Sequence, residues 1–157
     1  MTRLRGRALC GERVYASSPQ GHWQTTTMIS SMRLDGSTAC MTIDGAADTE
    51  AFEAYVQHVL SPTLQPADIV VMDNLSPHKS AAVQRLIEKT GADILFLPSY
   101  SPDLNPIEKM WSKVKSDLRT AEARNQQALN DAIATSLSNI TCQNAINWFA
   151  SCGYSFI

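Results

Sequence analysis

Two short runs of consecutive apolar residues restrict the fold of this chain more than any other feature. They are IVVM at residues 69–72 and ILFL at residues 94–97. A strand with no polar alternation is typical of a sheet that is covered on both faces. Between the two runs, residues 79–90 carry apolar side chains at helical spacing and end at Gly91. The order strand, helix, strand predicts a right-handed βαβ unit with two parallel strands.

The preceding part of the chain is predicted to form an antiparallel meander of three strands. Residues 12–17, 22–33 and 37–43 are rich in Thr, Val, Ile and aromatic residues, a composition that favours strands. Turn residues separate these segments, for example Asp35 and Gly36. Since the connections are short, successive strands are expected to lie side by side and antiparallel.

The remaining periodic segments are predicted to be helices. One begins at Asp48 or Thr49, where a polar side chain can cap it, and ends near Pro62. The fold class is therefore α/β: an antiparallel three-strand meander joined to a βαβ unit in a mixed sheet, with helices on both faces and a helical C-terminal tail. The three helices of that tail are expected at about residues 105–120, 125–139 and 141–151.

Composition narrows the class of protein. A chain of 157 residues is predicted to be one domain, residues 1–157. Apolar residues make up 44% and charged residues 18%, as in ordinary globular proteins. No apolar run approaches the roughly 18 residues that span a membrane. The net charge is −2, so nucleic acid would have to bind through local basic patches. The four cysteines include no C-x-x-C pair, which predicts reduced thiols rather than a zinc site.

Two carboxylates stand out by position. Asp73 directly follows the strand at residues 69–72, and ligands of open α/β sheets bind beyond the carboxyl ends of strands. Glu108 lies near the start of the next helix, within reach of the same edge. Each acid also has a purely structural interpretation. Asp73 can cap a turn or helix, and Glu108 can form a capping box with Asn105 ahead of Pro106.

The segments around these two acids resemble one known family. They read VVMDNLSPH at residues 70–78 and FLPSYSPDLNPIEKMWSKVK at residues 96–115. Together they resemble the DDE catalytic domain of bacterial insertion-sequence transposases in the mariner superfamily. The second segment matches the family signature almost letter for letter, and the separation of Asp73 and Glu108 also fits. The resemblance extends over essentially the whole chain.

The resemblance implies a ribonuclease-H-like fold and a DNA transposase. Its chemistry would be divalent-metal-dependent phosphoryl transfer, cleaving and joining DNA strands at transposon ends. Two Mg²⁺ or Mn²⁺ ions would be held by three carboxylates, of which Asp73 and Glu108 would be the second and third; no other small-molecule cofactor is implied. The implied partners are DNA, at transposon ends and target, and a second copy in a homodimer on DNA, with no membrane. The implied location is the bacterial cytoplasm, at the nucleoid when DNA is bound.

The first acid of the family has no counterpart in this sequence. It is an Asp on a strand ahead of the segment that matches residues 3–13, and the family's helix-turn-helix region is also missing. Loss of that strand is expected to expose an edge on which other chains can pair. We therefore expect weak metal binding, little or no cleavage by the chain alone, and self-association. The alternative function is a catalytically inactive transposase remnant that binds DNA or transposase. A nucleotide-binding protein is disfavoured because G-x-G-x-x-G and P-loop motifs are absent.

Several supporting residues are also predicted. His78 is expected to contact phosphate or orient an acid, or else only to bond within its turn. Asn74 is expected either to bond a metal-bound water or to shape the turn. Trp111 fits the apolar stripe of its helix, with base stacking as the alternative. The candidate DNA-binding residues form one basic run and one helical patch, which can also be merely solvated. They are Arg3, Arg5 and Arg7, and then Lys109, Lys113 and Lys115.

Overall fold

A computed structural model describes residues 6–15 and 24–155 of the chain. The first two strands, β1 (Thr26–Met32) and β2 (Thr38–Asp44), form an antiparallel hairpin. The expected turn at Asp35 and Gly36 joins them, and the Asp35 carboxylate accepts hydrogen bonds from the Ser37 N–H and hydroxyl. Those two bonds lower the pKa of Asp35, the hydroxyl bond having the larger effect.

The predicted βαβ unit is present. Strand β3 (Ile69–Met72) pairs in parallel with β4 (Asp93–Phe96), and α2 (Ala81–Glu88) connects them. Ahead of this unit, α1 (Thr49–Tyr55) begins where the Asp48 carboxylate accepts the Ala51 N–H, as the sequence predicted. The same helix continues as a π turn, Val56–Leu60, and a final 3₁₀ turn.

Three helices follow as predicted: α3 (Ile107–Ala121), α4 (Gln126–Ser138) and α5 (Cys142–Ser151). The apolar stripe to which Trp111 was assigned is present on α3, where Met110, Val114 and Leu118 are buried. Trp111 is partly buried and packs beside them. Within the described part of the chain, no helix has both the length and the apolar character needed to cross a membrane. All four cysteines are unpaired.

Two hydrophobic cores lie on opposite faces of β1. The first core centres on Phe52, Tyr55 and Ile87 of the helices around β3 and β4, and Ile29 of β1 packs against it. The second core centres on Met110 of α3 and its neighbours in α4, and Met28 of β1 packs against that one. Because successive strand residues point to opposite faces, β1 is covered by helices on both sides.

The predicted single mixed sheet is wrong for the described residues, which form two separate two-stranded sheets. The three-strand meander is wrong as well, because residues 12–15 form no strand. These residues lie in a segment whose apolar side chains are exposed, Tyr15 by 85%. An extended segment without burial or a pairing partner gains too little free energy to form a strand. The remainder of that predicted strand, residues 16–17, lies outside the described residues.

Candidate metal and nucleic-acid site

Asp73 lies at the carboxyl end of β3, where the chain turns away from the sheet. Its carboxylate is 44% exposed and accepts the Leu75 N–H at 3.2 Å. His78 Nδ1 lies 2.7 Å from the same oxygen, Oδ1. Since a carboxylate only accepts hydrogen bonds, Nδ1 carries the proton and donates. The turn therefore fixes one oxygen of Asp73.

The imidazole of His78 is itself held in place. It belongs to the 3₁₀ turn Ser76–Lys79, and its ring packs on Phe52 of α1 with centroids 4.3 Å apart. The His78 side chain is 20% exposed. Packing on one side and the bond to Asp73 on the other restrict the ring, so His78 can orient the Asp73 carboxylate.

Asn74 connects the ends of the two parallel strands. Its side-chain Nδ2 donates to the carbonyl of Leu97, directly after β4. The amide thereby fixes the turn that carries Asp73 relative to the neighbouring strand, which is one of the two roles considered for it.

Glu108 lies in the first turn of α3 and is exposed. The capping box expected with Asn105 is not formed. The N–H of Asn105 donates to the Pro102 carbonyl at 3.1 Å, so it is not free to bind the Glu108 side chain. Glu108 uses its own N–H to reach the Asn105 carbonyl, also at 3.1 Å. Among the described residues, no hydrogen bond or ion pair engages the Glu108 carboxylate.

Asp73 and Glu108 line the same groove, whose volume is about 620 Å³. His78 and Trp111 line it too. The groove lies between β1 and β3, and its walls are mostly apolar side chains from both cores. The two carboxylates predicted from the sequence are therefore brought to one cavity.

The donor set suits a hard divalent cation. Mg²⁺ and Mn²⁺ prefer oxygen ligands, and neither acid is paired with Lys or Arg within the described ranges. However, residues 6–15 and 24–155 contain no group of three or more His, Cys, Asp or Glu that could hold a metal. The two acids are of the chemical type that such an ion needs, and both line the same groove. The second ion of the two-metal expectation would need further oxygen ligands.

The predicted basic residues differ in their surroundings. Lys109 and Lys115 are exposed on α3, as is Arg7 near the start of the described chain. Lys113 is half-buried and pairs with Asp117 at 3.0 Å. Asp117 also accepts a bond from the Ser136 hydroxyl, and that bond, followed by Lys113, lowers its pKa. The last two basic residues predicted, Arg3 and Arg5, lie outside the described residues.

An ion pair that no sequence pattern predicts lies at the other end of the groove. Arg33, just after β1, binds Asp68, just before β3, through two hydrogen bonds of 2.7 and 2.8 Å. Their mutual hydrogen bond raises the pKa of Arg33 and lowers that of Asp68. The only signal in the sequence was an acid directly ahead of an apolar strand, and no local pattern indicated its partner.

Comparison with known proteins agrees with these observations. A family model described as DDE superfamily endonuclease matches residues 1–130. The Tcb2 transposable-element transposase of Caenorhabditis briggsae is 32% identical over 87 residues, which are 53% of this chain. The Tcb1 transposable-element transposase of the same organism is 31% identical over 87 residues. This chain covers 32% of the length of each of these relatives. The expected resemblance to DDE transposase domains is confirmed.

Proposed function

The chain belongs to the DDE superfamily endonucleases, and from this premise we propose that it is the catalytic part of a DNA transposase. The proposed reaction is divalent-metal-dependent cleavage and joining of DNA strands at the ends of a mobile element. One observation carries the proposal. Asp73 and Glu108, which lie far apart in sequence, line a single groove, and neither is neutralised by a Lys or Arg of the described chain.

Each residue of the site has a part in this proposal. Asp73 and Glu108 would hold Mg²⁺ or Mn²⁺ through carboxylate oxygens. When bound, such an ion lowers the pKa of water and stabilises negative charge on the transferring phosphoryl group. His78 acts through Asp73, because its bond to Oδ1 restricts the carboxylate to one orientation.

DNA is the proposed substrate, and its backbone would be bound by cations on α3. Lys109 follows Glu108 directly and is exposed, so it can reach a phosphate beside the acidic site. Lys115 is exposed further along the helix. Lys113 is a weaker candidate, because it is already paired with Asp117. Phosphate contacts of this kind supply affinity without sequence specificity. We further propose a homodimer on DNA and a bacterial cytoplasmic location.

A second candidate function is a catalytically inactive protein that binds DNA or transposase. The observation that favours it is that the described ranges contain no group of three or more candidate metal ligands. The other two acids that line the groove are already engaged, Asp48 by the Ala51 N–H and Asp68 by Arg33. Two carboxylates leave most of the coordination shell of a divalent ion to water, so binding can persist where chemistry does not.

Nicking of supercoiled plasmid in Mn²⁺ tests the proposed activity. We expect slow nicking that needs the metal and is lost in both Asp73→Asn and Glu108→Gln. Matched controls are Asp93→Asn and Glu88→Gln, which change an exposed acid at the start of β4 and one at the end of α2. Both controls should nick at the wild-type rate.

Thermal melting with Mn²⁺ separates the two candidate functions. If Mn²⁺ raises Tm and Asp73→Asn abolishes the rise while wild-type protein does not nick DNA, the binding function is supported. If Mn²⁺ neither raises Tm nor supports nicking, the assignment of Asp73 and Glu108 as metal ligands is wrong.

A further inference from the structure

A hydrogen bond behind the groove ties the turn that carries His78 to α1. The Ser80 hydroxyl donates to Oε1 of Glu53, a residue of α1, at 2.5 Å. Both side chains are half-buried, and neither lines the groove. No ion pair with Lys or Arg engages Glu53 in the part of the chain that the structure describes. A surface ion pair therefore does not account for this acid, and any part it has in the proposed chemistry is indirect.

Ser80 also begins α2. Its hydroxyl oxygen accepts the Ala82 N–H at 3.2 Å and caps the helix. Its own N–H donates to the Pro77 carbonyl at 3.3 Å. One residue thus joins three parts of the fold, which are the 3₁₀ turn with His78, the start of α2 and, through Glu53, α1.

The segment that carries His78 is anchored at both of its ends. At one end, the Asn74 side chain donates to the Leu97 carbonyl after β4. At the other end, Ser80 donates to Glu53. Because His78 lies between these two anchors, a shift at either of them would move its imidazole.

The anchor at Glu53 restricts a movement that ring packing leaves open. His78 packs on Phe52, the residue before Glu53, with 37° between the ring planes. Apolar contacts are non-directional, so the imidazole can slide along Phe52 at little cost, whereas a hydrogen bond depends on distance and angle. The Ser80–Glu53 bond therefore fixes where the turn lies along α1. That position sets the distance of 2.7 Å from His78 Nδ1 to Asp73 Oδ1.

We propose that Glu53 is a positioning residue for the Asp73 carboxylate and acts on it through Ser80 and His78. The consequence for a metal ion rests on the proposed function, while the orientation of Asp73 is a property of the chain alone. Replacing a residue that holds a metal ligand in place typically lowers metal affinity about 10–100-fold. Since Glu53 acts from further away than His78, its replacement should have a smaller effect.

Electron paramagnetic resonance of Mn²⁺ tests the proposal, since free Mn²⁺ gives a signal that the bound ion loses. Glu53→Met removes the acceptor but keeps the length of the side chain, and should raise the Kd for Mn²⁺ about three- to tenfold. Glu53→Gln removes the same charge but keeps an acceptor oxygen, and should change the Kd by less than about twofold. Glu50→Met changes an exposed acid of the same helix and should leave the Kd unchanged.

Variants of Ser80 separate the bond to Glu53 from the cap of α2. Ser80→Asp keeps a capping oxygen, but an ionised carboxylate cannot donate to Glu53. It should raise the Kd as Glu53→Met does, although its added negative charge would by itself favour Mn²⁺. Ser80→Thr keeps both the cap and the donor and should bind as wild type does. If Ser80→Asp binds Mn²⁺ with wild-type affinity, the bond to Glu53 does not position Asp73 and the proposal is wrong.

A double-mutant cycle with His78→Ala shows whether Glu53 acts through the imidazole. In the His78→Ala background, Glu53→Met should raise the Kd by less than about twofold, because the connection to Asp73 is already broken. An equal effect with and without His78 would mean that Glu53 only stabilises the fold, and would overturn the proposal.

Proton NMR without metal tests the positioning role separately from the proposed function. A ring N–H held by Asp73 exchanges slowly with water and gives a resonance downfield of the amide protons, which His78→Ala identifies by removing it. We expect Glu53→Met to remove this resonance through faster exchange and Glu53→Gln to retain it.

The two readouts distinguish the two possible failures. If the wild-type protein binds no Mn²⁺ but the resonance follows the expected pattern, the positioning role is supported and the assignment of Asp73 as a metal ligand is wrong. If the resonance persists in Glu53→Met, the positioning role of Glu53 is wrong, whether or not the protein binds Mn²⁺.

Discussion

Replacement of Gly36 by alanine should destabilise the fold through one defined contact. Gly36 lies in the turn between β1 and β2 with a φ of +87°. A Cβ atom there would lie 2.7 Å from the carbonyl carbon of Thr141 and 2.8 Å from the N atom of Cys142. Both are backbone atoms at the start of α5, so neither can move aside as a flexible side chain would. The close approach packs the hairpin turn against the last helix.

The cost of Gly36→Ala has two parts. A non-glycine residue in the left-handed region costs about 1–2 kcal/mol, and overpacking against fixed atoms costs about 1–3 kcal/mol more. Gly36→Ala should therefore lower the free energy of unfolding by about 2–5 kcal/mol. In a domain of this size, where 1 kcal/mol shifts Tm by about 2–4 °C, the loss corresponds to a fall in Tm of about 4–20 °C.

Gly45→Ala is the matched control. Gly45 has a φ of +94°, but nothing lies within 4 Å of the Cβ position. Only the backbone cost of about 1–2 kcal/mol applies. Urea denaturation of the two variants measures the difference. Equal losses of stability would refute the docking of the hairpin turn on α5.

Three further predictions concern charge and burial. The pKa of Asp117 is lowered in the folded state, so this carboxylate stabilises the fold above about pH 4. The stabilisation disappears as the pH falls through the lowered pKa. When the pH is lowered from 7 to 3, Tm should therefore fall less in Asp117→Asn than in wild type. Lys109→Ala should reduce the slope of log affinity for duplex DNA against log salt by about 0.9, while Lys89→Ala, at the end of α2, should leave it unchanged. Burial raises the pKa of Tyr55 to about 12; ultraviolet titration should find one tyrosine near that value, absent in Tyr55→Phe.

Local sequence signals were sufficient for the elements that position the site. The apolar run at residues 69–72 predicted the position of β3 correctly. The expected cover on both faces is wrong, since Ile69 of β3 and Leu95 of β4 are exposed; composition alone does not show which face of a strand another layer covers. Capping chemistry placed the start of α1 at Asp48. The position of Asp73 after β3 followed from these local patterns, and the motif that contains Glu108 indicated the family.

Interactions between distant segments could not be predicted in the same way. The Arg33–Asp68 pair joins residues whose local patterns give no hint of each other. The capping box at Glu108 is not formed because the Asn105 N–H donates to the Pro102 carbonyl in the preceding turn. The prediction of a three-strand meander is wrong because a strand-like composition does not ensure a partner strand. The described part of residues 12–17 pairs with no strand.

Iron-directed cleavage of the protein itself tests most directly whether Asp73 and Glu108 share a metal ion. Fe²⁺ replaces Mg²⁺ at oxygen-ligand sites, and with ascorbate and peroxide it generates radicals that cut the nearest peptide bonds. We predict two cuts, one near Asp73 and one near Glu108, both suppressed by excess Mg²⁺ and both lost in Asp73→Asn. Mass spectrometry of the fragments gives the positions. Cleavage at only one of the two acids, or at neither, would contradict the shared site.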